Sequence, residues 1–229
     1  MKTKRICPSE LAYVLGLVIL ALGTALMERA NFGMSMVVAP AYLLHLKISQ
    51  TFPFFTFGVA EYVFQAALLV MLSLVLRRFK RSYLFSFVTA VLYGVTLDVS
   101  IAAAALLPGS GMIARFVFYV LGMVLCSVGV AFFFKTYISP EAYELVVKEL
   151  AARFGLRIDR VKTAYDCVSC LFGVVLSFAF FGFGHFEGVK LGTIFCALIN
   201  GYLIGRISDG LDRTFDFRDA LSLRGLFSR

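Results

Sequence analysis

The sequence predicts an all-α integral membrane protein: six transmembrane helices in two inverted three-helix repeats, each repeat carrying a short half-helix or interfacial helix. Three observations predict this. Apolar residues make up 60% of the 229 and charged residues only 16%, with a mean hydropathy of +0.88; soluble domains carry ~25% charged residues, and disordered chains show the opposite balance. The apolar residues gather into runs long enough to cross a hydrocarbon layer of ~30 Å at about 1.5 Å per residue. The chain also matches itself, weakly but in constant order, at a shift of 104 to 107 residues.

Taken in order, the runs are Leu11 to Met27, Phe54 to Leu76, Tyr83 to Leu107, Met112 to Phe134, Ala164 to Phe183 and Val189 to Ile207. Lys2, Lys4 and Arg5 precede the first run, as in a signal peptide. Its apolar stretch exceeds the usual ~7–15 residue core, and Met27-Glu28-Arg29-Ala30 is no small-residue cleavage site, so it reads as a mature span. Lysine and arginine are retained on the cytoplasmic side of spans. With the N-terminus inside, eighteen of the 22 basic residues fall on inner segments, and only Arg29, Lys47, Arg115 and Lys190 lie outside. Both termini are therefore expected in the cytoplasm of a multi-pass protein of the bacterial cytoplasmic membrane. The formal charge of +8 is then explained by topology rather than by nucleic acid.

The internal match pairs Gly23-Thr24-Ala25 with Gly129-Val130-Ala131, Arg29 with Lys135, Ser35-Met36 with Ser139-Pro140, and Glu61 with Asp166. Further on, the run from Ala90 to Gly94 meets the run from Ala197 to Gly201. Each half reads as span, short segment, span, span, and an odd number of spans places the second copy upside down, a plan common among secondary transporters. The chain is one membrane domain over 1–229, with repeat 1 at about 11–107, repeat 2 at about 112–207 and a cytoplasmic tail at 208–229. The short segments are Ser35 to Lys47 and Pro140 to Phe154. Both can be re-entrant half-helices whose N-termini point at the midplane, or can lie flat at the interface. The more apolar first segment favours the re-entrant form. In the second, Ser139 is positioned to cap, Pro140 suits the first turn, and Glu141 and Glu144 complement the positive helix end.

The stretch Gly23 to Met36 (GTALMERANFGMSM), the Tyr137-Ile138-Ser139-Pro140 turn, and Gly192 to Ile194 with Gly201 resemble the YczE/YitT-like bacterial membrane proteins. The likeness spans roughly residues 10 to 208, and Met36 stands where that family commonly has proline. It implies a multi-spanning fold and adds little about activity.

Ionisable side chains inside spans cost roughly 2.5 to 3.5 kcal/mol at the centre, so each is a candidate site residue. Glu61, with Tyr62 beside it and Gln65 on the same helix face, is one; Asp98, well inside the third span, is another; Asp166, beside Tyr165, is the repeat mate of Glu61. These carboxylates are suited to proton or cation coupling. Arg29 and Lys135 end spans one and four just ahead of the short segments, where with Ser35 and the half-helix N-termini they would attract an anion; snorkelling to the interface is the plainer alternative. Arg115 is a candidate partner for Asp98 or Glu61. Asn31 and Asn200 are polar candidates with interhelical hydrogen bonding as the default.

No metal or cofactor site is expected. The five cysteines form no spaced framework, Cys167-Val-Ser-Cys170 opens an apolar span, and His45 and His185 are too few for a metal. Gly201-x-x-x-Gly205 suits close helix packing. The tail, alternating in charge and ending in Leu221, Leu223, Leu226 and Phe227, reads as a short amphipathic helix.

These residues point to a small-molecule or ion transporter, proton- or cation-coupled, with an undefined substrate. The alternatives are a substrate-binding membrane subunit of a larger transporter, or a non-transporting accessory or scaffold membrane protein. No nucleophile, base and orienting group are spaced as an enzyme requires. The expected partners are the lipid bilayer, a small-molecule or ion substrate, and a second copy or partner subunit.

Overall fold

The computed structural model describes residues 4–33, 35–109, 111–184 and 186–221. Lys2, Met34, His185 and the tail residues Leu223, Arg224, Leu226, Phe227 and Arg229 lie outside the described residues. Among the described residues, six helices are long and apolar enough to cross a membrane: α1 (Ser9–Ala30), α3 (Phe57–Leu76), α4 (Phe85–Ala105), α5 (Met112–Phe133), α7 (Ile158–Phe181) and α8 (Leu191–Thr214). Two short helices, α2 (Ala39–Ile48) and α6 (Ala142–Phe154), follow α1 and α5. A strand pair, β1 (Arg5–Pro8) and β2 (Phe215–Arg218), runs parallel with Arg5 opposite Phe215.

That pair was not foreseen, and it ties the two ends of the chain to one face of the bundle, called here the termini face. Phe217 packs on Phe132, and Ser9 Oγ donates to Asp219 at 2.8 Å. Glu10 accepts from Tyr137 and from the backbone of Ala220 and Leu221. The amphipathic tail helix is thereby corrected: α8 runs on to Thr214, taking in Asp209, Asp212 and Arg213, and the chain then extends as β2. Span starts shift as well. Helix α1 begins at Ser9, and α7 begins at Ile158 rather than Ala164, because Asp159, Arg160 and Lys162 break the apolar run without breaking the helix.

The central contact is α1 against α5. Gly16 and Gly23 on α1 face Gly129 and Gly122 on α5, so closely that a Cβ on Gly23 would fall 2.8 Å from the Gly122 carbonyl and one on Gly129 2.8 Å from the Gly16 carbonyl. Small residues at such crossings replace the hydrophobic drive that lipid cannot supply. The pairing of early with late glycines makes the two helices antiparallel. Gly201 and Gly205 likewise seat α8 on Thr163 and Asp159 of α7.

Helices α2 and α6 each pack against both α3 and α7. From Ser139 through Val147 every residue is buried, whereas the C-terminal end of α6 opens to the surface. Tyr143 reaches Glu61, which stands fifteen residues before the end of α3, or about 22 Å along its axis. Glu149, further along α6, meets Lys80 at the termini face. Helix α6 therefore starts enclosed by the spans, with Tyr143 reaching inward to Glu61, and runs out to the termini face. Irregular backbone within a membrane bundle is tolerated only when enclosed by protein, and residues 139–141 are buried. In α2, Ala39, Pro40, Ala41 and Leu43 are buried and Lys47 is exposed, the same polarity.

Candidate functional site

The interior polar residues converge where α6 begins. Helix α3 contributes Glu61 and Gln65, one helical turn apart: Gln65 Nε2 donates to Glu61 Oε1 at 3.3 Å, and Tyr143 OH of α6 donates to the same oxygen at 2.7 Å. Helix α7 contributes Lys162 and Asp166, also one turn apart; the ammonium lies 2.9 Å from Asp166 Oδ1 and 3.4 Å from Glu144 Oε1 of α6. The Lys162 ammonium sits 5.8 Å from the Tyr165 ring centre. Asn200 of α8 donates to Asp166 Oδ2 at 3.3 Å, and Ser127 of α5 donates to Asn200 Oδ1 at 2.9 Å. Two hydrogen-bonded groups, one of α3 with α6 and one of α5, α6, α7 and α8, thus meet on α6 and together make a network of five helices.

Its electrostatics are unbalanced. Lys162 is 1% exposed and Asp166 fully buried; moving an ion out of water costs several kcal/mol unless it is paired and hydrogen-bonded. Lys162 is offset by two carboxylates, but Glu61 and Glu141 add two more acids to the same region. Burial pushes the Glu141 carboxyl well above the usual carboxylate range, Glu144 and Glu61 push it the same way, and Lys162 opposes them. Among the described residues, no well-aligned hydrogen-bond donor meets the buried Glu61 Oε2, Gln65 Oε1, Glu141 Oε1 or Asp166 Oδ1. Asp166 Oδ1 has the Lys162 charge beside it. The other three have no such compensation, which is unusual because buried polar atoms are nearly always satisfied. A polar cleft of about 370 Å³ at the termini face reaches Ser139, two residues before Glu141.

Local sequence explains the geometry. Glu141 is the N-cap of α6 but makes no side-chain cap bond, so its carboxylate is left for the interior. The expected Ser139 cap is corrected: its hydroxyl donates to the Ser82 carbonyl at 2.9 Å, and its own carbonyl accepts from Thr89 at 2.7 Å, pinning the turn to the start of α4. Pro140 accordingly precedes the helix.

Of the residues expected from sequence, the structure brings Glu61, Gln65, Tyr165, Asp166 and Asn200 into this network and leaves the others out. Asp98 lies on the exposed perimeter of α4, and Tyr62 is 45% exposed on α3. The pairing of Arg115 with Asp98 or Glu61 is corrected: Arg115 donates to the carbonyls of Ala30 and Asn31 and covers the Phe32 ring, closing the end of α1. Arg29 and Lys135 have partners other than the half-helix N-termini. Arg29 binds the carbonyls of Ala105 and Leu107 at the end of α4, and Lys135 pairs with Asp212 at the termini face. Asn31, left-handed at φ 55°, ends α1 and accepts from Lys190. Ser35 belongs to the turn before α2, which starts later than expected, at Ala39. Sequence reading missed Ser127, Glu141, Tyr143, Glu144 and Lys162 as site residues.

The cysteines Cys167 and Cys170 are free thiols. Among the described residues, no three His, Cys, Asp or Glu side chains are grouped to hold a metal ion. No curated protein and no solved structure matches the chain. A model of a family of unknown function, DUF6198, matches residues 7–209 and so takes in five spans whole, α8 as far as Asp209, and the whole network; the chain belongs to that family.

Proposed function

We propose that the protein is a coupled transporter of a small solute in the bacterial cytoplasmic membrane, with both termini in the cytoplasm and its site where α6 meets α3 and α7. The observation that carries this is the set of uncompensated buried acceptors at the start of a re-entrant helix, beside a charge-paired lysine. A merely structural core would close such groups with donors; a site that takes up and releases a ligand leaves them open. In this reading Glu61 and Glu141 alternate between proton and cargo, Lys162 with Glu144 and Asp166 forms the fixed frame, and the cleft reaching Ser139 is the path to the termini face.

The same proposal takes the fold as two inverted repeats. Three packing contacts support it. A shift of 106 residues converts Gly16 against Gly129 into Gly122 against Gly23, and Gly23 against Cys126 into Gly129 against Leu20. The shared seating of α2 and α6 on α3 and α7 agrees. The likeness to the YczE/YitT-like proteins belongs to this reading and bears on architecture alone.

The test is flux into proteoliposomes containing the purified chain, across a panel of amines, amino acids, sugars and inorganic ions, with an internal pH dye. Substrate-dependent proton movement is expected, lost in Glu61→Gln and Glu141→Gln. Unchanged flux in both variants would overturn the coupling role.

A further inference from the structure

We propose that the group recognised at the α3–α6 junction is a primary ammonium, so that the cargo is a small organic amine; this rests on the transporter reading above. The three open acceptors are Glu61 Oε2, Gln65 Oε1 and Glu141 Oε1, all on these two elements. Gln65 and Glu141 are 2% and 6% exposed, so water at the surface does not satisfy them. Donors stand nearby, but their bonds run to other atoms. Tyr143 OH and Gln65 Nε2 both donate to Glu61 Oε1, and Lys162 is held between Glu144 and Asp166.

What is missing is therefore positive charge and hydrogen-bond donors together. A primary ammonium supplies one charge and three N–H donors together. An anion or a sugar hydroxyl alone would leave the excess of carboxylates uncompensated. A metal ion asks for more oxygen ligands at short range than this pair of carboxylates offers, and the described residues form no metal-type group. A quaternary ammonium brings charge without donors and would leave all three acceptors open. The rings of Phe64 and Tyr143 lie 6.3 Å apart at the same junction, and aromatic faces attract cations.

The experiment measures binding of radiolabelled methylammonium to the full chain in nanodiscs, with ethylammonium, tetramethylammonium and sodium as competitors, alongside flux of the same label into proteoliposomes. Saturable binding is expected, displaced by ethylammonium and at least tenfold less well by tetramethylammonium or sodium. Glu141→Gln and Gln65→Leu should each weaken it at least tenfold; unfolding profiles matched to the parent protein confirm that each variant is folded. Equal displacement by tetramethylammonium overturns the ammonium assignment, as does unaltered binding in folded variants. Absence of methylammonium binding together with flux of another panel solute would sink this inference and leave the transporter reading standing. Saturable amine binding without flux of any solute would do the reverse.

Discussion

Lys162 carries more of the site's electrostatic burden than any other single residue, since its ammonium lies in contact with Asp166 and Glu144 and is 1% exposed. Removing one partner of a buried ion pair costs about 3–5 kcal/mol because the other charge is stranded. Lys162→Met is expected to destabilise by that order, and Lys162→Met with Asp166→Leu to recover part of the loss. Cys7, Cys170 and Cys196 are buried free thiols, so a thiol-reactive dye followed with temperature reports the unfolding directly. Asp98 makes the contrast. Exposed on the perimeter of α4, it contributes nothing to the network, and Asp98→Asn should leave flux within about twofold while Glu61→Gln abolishes it. Glu141 adds a dependence on pH. Its carboxyl titrates above the ordinary carboxylate value, facing Glu61 of α3, Glu144 of α6, Lys162 of α7, Tyr13 of α1 and Tyr93 of α4. A proton and an ammonium compete for its ionised form, so methylammonium affinity should rise with pH through that titration. Glu141→Gln should flatten the profile, measured in the same nanodiscs; an unchanged slope would place the titrating group elsewhere.

Helix α6 shows at the scale of an element what the sequence could and could not tell. The six spans are legible because burial in lipid demands length and apolarity, both visible in one dimension. The face a span turns inward is not, since a helix bathed in lipid is apolar all round; this is why Asp98 and Glu61 read alike. Lys162 was hidden for another reason: as one of six bases between α5 and the apolar part of α7, it counted as a topology signal. Glu141 and Glu144 looked like ordinary acidic residues of a helix start, with charges on Lys148, Glu149 and Arg153 suggesting a solvated face. Packing overrode that pattern by enclosing the first turns, while Glu149 was drawn to Lys80 and Tyr83. Single cysteines introduced into a cysteine-free background test the arrangement. Val146→Cys, 1% exposed in the parent side chain, should resist a membrane-impermeant maleimide from either side. Ala152→Cys, exposed, should react from the termini face alone. Reaction of both at equal rates would mean that α6 lies flat on the surface.

The whole molecule is organised around the antiparallel crossing of α1 and α5, with α2 and α6 seated on the same two spans. An even number of spans and the parallel β1–β2 pair put both ends on one side. That side also carries Arg78, Lys80, Lys135, Lys148 and Arg157, whereas the opposite one shows Arg29, Arg115 and Lys190, each turned to cap a carbonyl end of α4 or α1. In the proposed reading, cytoplasmic retention of basic loops sets the orientation, and with it the direction in which the cleft beneath Ser139 opens. Fusion of a fluorescent protein that matures only in the cytoplasm tests this at each end. Both fusions should fluoresce, and a fusion truncated after Pro108, between α4 and α5, should stay dark. Fluorescence from the truncated fusion but from neither end would invert the molecule, leaving the fold and the acceptor cluster as they are but making the cleft an external mouth, so that amine capture would begin outside the cell.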